Sequence, residues 1–225
     1  MVSLFSSADR FLHSSRDFNP VIDRSLSLWD LAAFVVVFGL WYGAVMGTFG
    51  GIAGDRSWQI LFSSSKVPLL LCATFVVTLP SFYVLNILMG LGPDFGAAVR
   101  CLIAAQAGTA LVLAVLAPYT ALFYASSSHY PAAILFNAVM FGAASFTGQF
   151  LLLRFYRPLI ERNERHRWMA RLWIVVYAFV GIQMGWVLRP FIGNPSEPPE
   201  FVRTDAWSNA YVVILRLASK VFGGL

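Results

Sequence analysis

Charge is scarce in this chain, and obvious chemistry is scarcer. Asp, Glu, Lys and Arg make up 12% of its 225 residues while 58% are hydrophobic, and that balance excludes an ordinary water-soluble domain, where about a quarter of residues carry charge. There are two cysteines, Cys72 and Cys101, both within apolar runs; no disulfide framework or Cys-based metal site is expected, and both read as small buried packers. The three histidines, His13, His129 and His166, fall in three separate polar segments without a His-Glu-x-x-His companion, so no metal is expected, and no cofactor. Neither a Gly-x-x-x-x-Gly-Lys-Ser/Thr loop nor a Gly-x-Ser-x-Gly elbow occurs. No carboxylate, lysine or histidine is predicted inside a span, which leaves a proton-coupled carrier or intramembrane protease without its usual parts. The expectation is a protein that is not an enzyme. A net charge of +5 arrives without a recognition module, so nucleic acid is not an expected partner.

What is present is a series of long apolar runs, at 29–51, 67–90, 97–125, 132–155 and 172–188, each close to the roughly 20 residues a bilayer crossing needs. The predicted fold is all-α: a polytopic transmembrane helical bundle of five spans, 29–189, plus a C-terminal interfacial amphipathic helix. The tail, 1–28, lacks the order of a cleavable signal; Leu4, Phe5, Phe11, Leu12 and Phe18 suit either a surface helix or a solvated segment. A Pro-rich connector, 190–204, leads to the C-terminal helix, 205–225. There Trp207, Tyr211, Ile214, Ala218 and Val221 share a face, and Arg216 and Lys220 favour the membrane surface over a sixth span.

Within the spans, small residues recur at four-residue spacing: Gly39, Gly43, Gly47 and Gly51 in the first, Gly181 and Gly185 in the fifth. In lipid such stripes admit close helix packing, against the protein's own spans or another chain. The intramembrane polar residues Asn86, Gln106, Thr109, Asn137, Gln149 and Gln183 suit interhelical hydrogen bonds or a conduction path for a neutral solute. Lys66 and Pro68 read as the entrance and first turn of span two, with Pro80 and Pro118 as kinks. Span four, rich in small and polar residues, reads as the interior helix. The turn Leu91–Gly96 is predicted to pair spans two and three as a hairpin. A basic loop, with Arg157, Arg162, Arg165, Arg167 and Arg171, is predicted to form a Glu161–Arg165 pair and reads as a topogenic loop or a dock for anionic lipid headgroups.

Lys and Arg counts set the expected orientation. The tail, Arg100 and the basic loop outweigh Arg56, Lys66, Arg189, Arg203, Arg216 and Lys220, so the positive-inside rule predicts a cytoplasmic N-terminus and an outward C-terminus. With Trp29-Asp30-Leu31, Lys66-Val-Pro-Leu-Leu70 and Leu79-Pro-Ser-Phe-Tyr-Val84, this layout resembles the bacterial members of the Yip1-type family over residues 28–190. The resemblance implies a five-span protein of a bacterial inner membrane. The Asp-Leu-Tyr-Gly-Pro signature of the eukaryotic members is absent, so their vesicle-trafficking role is not carried over, and neither are site residues. The expected function is a non-enzymatic scaffold or accessory subunit that assembles with itself or another membrane protein through the glycine-lined face of span one; the alternative is a channel or facilitator for a small neutral solute.

Overall fold

The computed structural model describes residues 26–54, 56–195 and 198–202. Nearly all of the predicted tail and the whole of the 205–225 helix lie outside these residues. Among them, every regular element is a helix: α1 (Leu28–Gly47), α2 (Arg56–Leu88), a 3-10 turn (Gly92–Asp94), α3 (Phe95–Ser126), α4 (Tyr130–Phe155), the short α5 (Arg157–Arg162) and α6 (Arg165–Val187). Among the described residues, five helices are long and apolar enough to cross a membrane. At 1.5 Å per residue α1 is about 30 Å long, matching a bilayer core, and α2 about 50 Å.

Local chemistry sets the boundaries. α1 opens with a capping box, in which Asp30 N–H donates to Ser27 Oγ at 3.1 Å and Ser27 N–H to Asp30 Oδ2 at 2.9 Å. It stops before Gly50 and Gly51, whose φ angles of 84° and 125° no right-handed helix accommodates. Gly51 therefore drops out of the predicted stripe. α2 starts at Arg56, well before the predicted entrance at Val67, so Lys66 and Pro68 lie in its interior. The polar side chains that disguised this extension, Gln59, Ser63 and Lys66, share one buried face. α2 ends in a Schellman motif: Gly90 has φ 74°, Leu91 N–H donates to Asn86 O at 2.8 Å, and Gly90 N–H to Ile87 O at 2.9 Å.

α1 packs against both α2 and α3, α3 against α4, and α2 against α6. The helices thus follow an arc in the order α4, α3, α1, α2, α6. The Leu91–Gly96 turn reverses the chain, but α2 and α3 touch little and the expected hairpin does not form; α1 takes the place beside each. The interior helix is α3, not α4: the most apolar stretch of α3 is 67% buried against 17% for α4 and 11% for α6. On α4 the Thr147 hydroxyl donates to Ala143 O at 2.9 Å within its own helix, so that polar side chain needs no neighbouring helix. Cys101 is buried as expected, whereas Cys72 is exposed. Trp173 is buried against Phe75 and Phe82.

One core cluster fills the near end, where α1 begins, around Leu31, Phe34, Leu102, Leu152 and Trp173. A second fills the far end around Tyr42, Met46, Val67, Leu113 and Ile192.

Candidate functional site: a buried lysine and the cavity beside it

The glycines of α1 decide how deep α2 sits. A Cβ on Gly43 would stand 2.7 Å from Ser64 Cα, one on Gly47 2.6 Å from Ile60 Cα, and one on Gly39 3.2 Å from Pro68 Cδ. Backbone meets backbone there, so this stripe is filled by the protein's own second helix.

The face of α2 bearing Gln59, Ser63 and Lys66 is covered by the chain that follows α6. Lys66 Nζ donates to Pro190 O at 2.5 Å, Ser63 Oγ to Phe191 O at 2.5 Å, and Gln59 Nε2 to Ser63 Oγ at 2.9 Å. Arg56 donates to Asn194 O at 2.8 Å, and the Tyr130 hydroxyl to Ile192 O at 3.2 Å. Four carbonyls of a segment without regular structure are thereby satisfied within the protein. Gly193 lies close against the same face: a Cβ there would stand 2.7 Å from Gln59 Cδ and would displace that side chain. Lys66 is fully buried, with the Phe201 ring 5.1 Å from its ammonium. Among the described residues no carboxylate pairs with it; its partners are a carbonyl and an aromatic face, both weaker than the anion a buried cation ordinarily requires.

Beside this seal, at the far end between α4 and α6, lies a cavity of about 500 Å³, within the ~300–1,000 Å³ range of small-ligand sites. Ile134, Asn137, Ala138 and Phe141 of α4 form one wall, Gly185 of α6 another, and Arg189 to Ile192 the cover. The Arg189 guanidinium lies 3.5 Å over the Trp186 ring. Behind the α4 wall, Asn137 joins three helices: Tyr42 OH donates to its Oδ1 at 3.1 Å, and its Nδ2 donates to Tyr124 OH at 2.7 Å and Ala133 O at 2.8 Å. Both amide hydrogens are engaged.

Compared with known proteins, the chain matches no family model, no curated protein and no solved structure. The site must be read from its own residues.

The other polar residues named from the sequence are dispersed. Asn86 is buried and donates to Phe82 O within α2 at 2.8 Å. Gln106, Thr109 and Gln149 line a void of about 30 Å³ with Trp173 and Tyr177, and Thr109 donates to Ala105 O at 3.0 Å. Gln183 is half-buried on α6. Of the set, Asn137 is the one that lines the large cavity. Gly181 faces Thr74, whose Cγ2 would be 3.6 Å from an added Cβ, while Gly185 has nothing within 4 Å.

The basic loop resolves into stitching at the near end. Arg157 pairs with Glu161 at 3.1 Å and Arg167 with Glu164 at 3.1 Å. The predicted Glu161–Arg165 pair is not made, because Asn163, extended at φ −151°, ends α5 between them. Arg165 instead donates to Met89 O at 3.0 Å, while Arg162 and the buried His166 reach Asp94 at 3.6 and 3.2 Å. Arg171 lies over Trp168. His129 caps α4, its Nδ1 accepting from Ala132 N–H at 3.3 Å. Among the described residues no three His, Cys, Asp or Glu side chains gather as metal ligands.

Sequence reasoning missed the Gln59, Ser63 and Lys66 stripe and the Tyr42–Asn137–Tyr124 relay. The first had a signal: spacings of four and three residues ahead of Pro68 place all three on one helical face. The second had none, since its members lie on three different helices.

Proposed function

We propose that this chain is a non-enzymatic integral membrane scaffold or accessory subunit, with a cytoplasmic N-terminus, an outward C-terminus and the bacterial inner membrane as its host. The likeness in layout to Yip1-type proteins belongs to the same proposal. The observation that carries it is the outer face of α4, where Leu135, Val139, Phe146 and Phe150 are exposed at spacings that put them on one ridge, interrupted by Gly142, with nothing within 4 Å of an added Cβ. A ridge with a gap lets a second helix approach closely in lipid, where van der Waals fit drives association. α1 offers no such surface, its glycine stripe being filled by α2.

Cysteine at Val139 should crosslink to a partner or a second copy in native membranes, and Gly142→Leu should abolish the adduct without unfolding the chain. An adduct unchanged by Gly142→Leu, or no adduct at all, would sink the proposal. The alternative, a facilitator for a small neutral solute, rests on Asn137 alone; solute flux into proteoliposomes that falls in Asn137→Leu would favour it.

A further inference from the structure

We propose that the far-end cavity holds one acyl chain of an anionic phospholipid drawn from the surrounding bilayer, with the lipid phosphate against Arg189. Four observations converge on this occupant. The cavity sits between α4 and α6, the two helices least covered by the rest of the chain, so its side faces the space that lipid fills. Its walls are mostly aliphatic and aromatic, Met46, Leu70, Ile134 and Phe141 among them, with no carboxylate among its lining residues. Its depth is that of a chain: from Tyr130 at the first turn of α4 to Phe141 the helix descends about 16 Å. The charged residue in its lining is Arg189, just beyond the end of α6 and in ring contact with Trp186, at the level where a headgroup would lie. A guanidinium matches phosphate through paired N–H donors, and the aromatic contact restrains it before the lipid arrives. Asn137 contributes shape instead of specificity, since its amide hydrogens are committed to Tyr124 and Ala133.

The inference is independent of the scaffold proposal, which uses the α4 ridge. It is tested by exchanging the purified full chain into nanodiscs of equal phosphatidylglycerol and phosphatidylcholine, then releasing it for native mass spectrometry. Wild type should retain one lipid, with phosphatidylglycerol favoured at least fivefold. Gly185→Leu meets no atom within 4 Å of the new Cβ and so fills the cavity without a backbone clash; it should cut retention at least tenfold while leaving the unfolding temperature in place. Arg189→Gln keeps the volume and should abolish the headgroup preference while retention persists. Retention unaffected by Gly185→Leu, equal retention of the two lipids by wild type, or a headgroup preference surviving in Arg189→Gln would each overturn the proposal. So would a wild-type chain that carries no lipid, including one whose cavity is occupied by a co-purifying protein.

Discussion

The glycine stripes of α1 and α6 look alike in sequence and behave as opposites in the fold. Gly43 and Gly47 lie where an added Cβ would strike the backbone of α2; Gly185 faces open space. The spacing is the same, so the difference comes from what stands opposite. α1 is flanked by α2 and α3, whereas α6 leans chiefly on α2 and barely meets α4. A four-residue glycine repeat states that close approach is permitted. Whether the approach is used depends on the neighbour.

Breaking the comparison at its strongest point gives the largest expected effect. Gly43→Leu must push apart two packed backbones and should cost about 3 kcal/mol or more, the upper end of overpacking, whereas Gly185→Leu should stay within about 0.5 kcal/mol of wild type. Thermal unfolding in detergent, followed by tryptophan fluorescence, measures both; equal losses would erase the distinction. The seal over α2 ranks next. Lys66→Met strands the Pro190 carbonyl, a loss of about 1–3 kcal/mol, and a cysteine at Asn194 should then react faster with a water-soluble maleimide. Unchanged labelling would mean that Lys66 does not hold the segment. Asn137→Leu, which breaks a relay across α1, α3 and α4, should cost more than Asn86→Leu, which removes about 0.5–1.5 kcal/mol of bonding within one helix; the reverse order in the same assay would refute the relay. Smallest is Arg157→Ala. Its partner Glu161 is exposed like itself, and an i,i+4 surface pair contributes only about 0.3–0.5 kcal/mol, so a measurable shift in unfolding temperature would contradict the assignment.

The helices were legible in the sequence wherever hydropathy and boundary chemistry agreed. α3 and α4 begin and end within two residues of the predicted limits, since turn formers bracket both. α2 was misjudged because Gln59, Ser63 and Lys66 look like a loop until something covers them, and what covers them is Pro190 to Asn194, more than a hundred residues later in the chain. Periodicity showed that α1 had a bare face without naming its neighbour. The cavity was illegible for the same reason: its lining is drawn from α1, α2, α4, α6 and the cover, and no single stretch carries its shape. The charged loop was legible as a basic segment but not in its pairings, because Asn163 breaks the helix that the Glu161–Arg165 pair required.

The bond between Lys66 and Pro190 spans 124 positions, and that separation becomes a delay when the chain is made. At about 5–20 residues per second, on the order of 6 to 25 s pass between synthesis of the lysine and synthesis of its acceptor. Throughout that interval α1 and α2 can already dock, but the far end stays open and the ammonium must keep its water. Closure of the bundle is therefore a late event, timed by the last helix and not by the first.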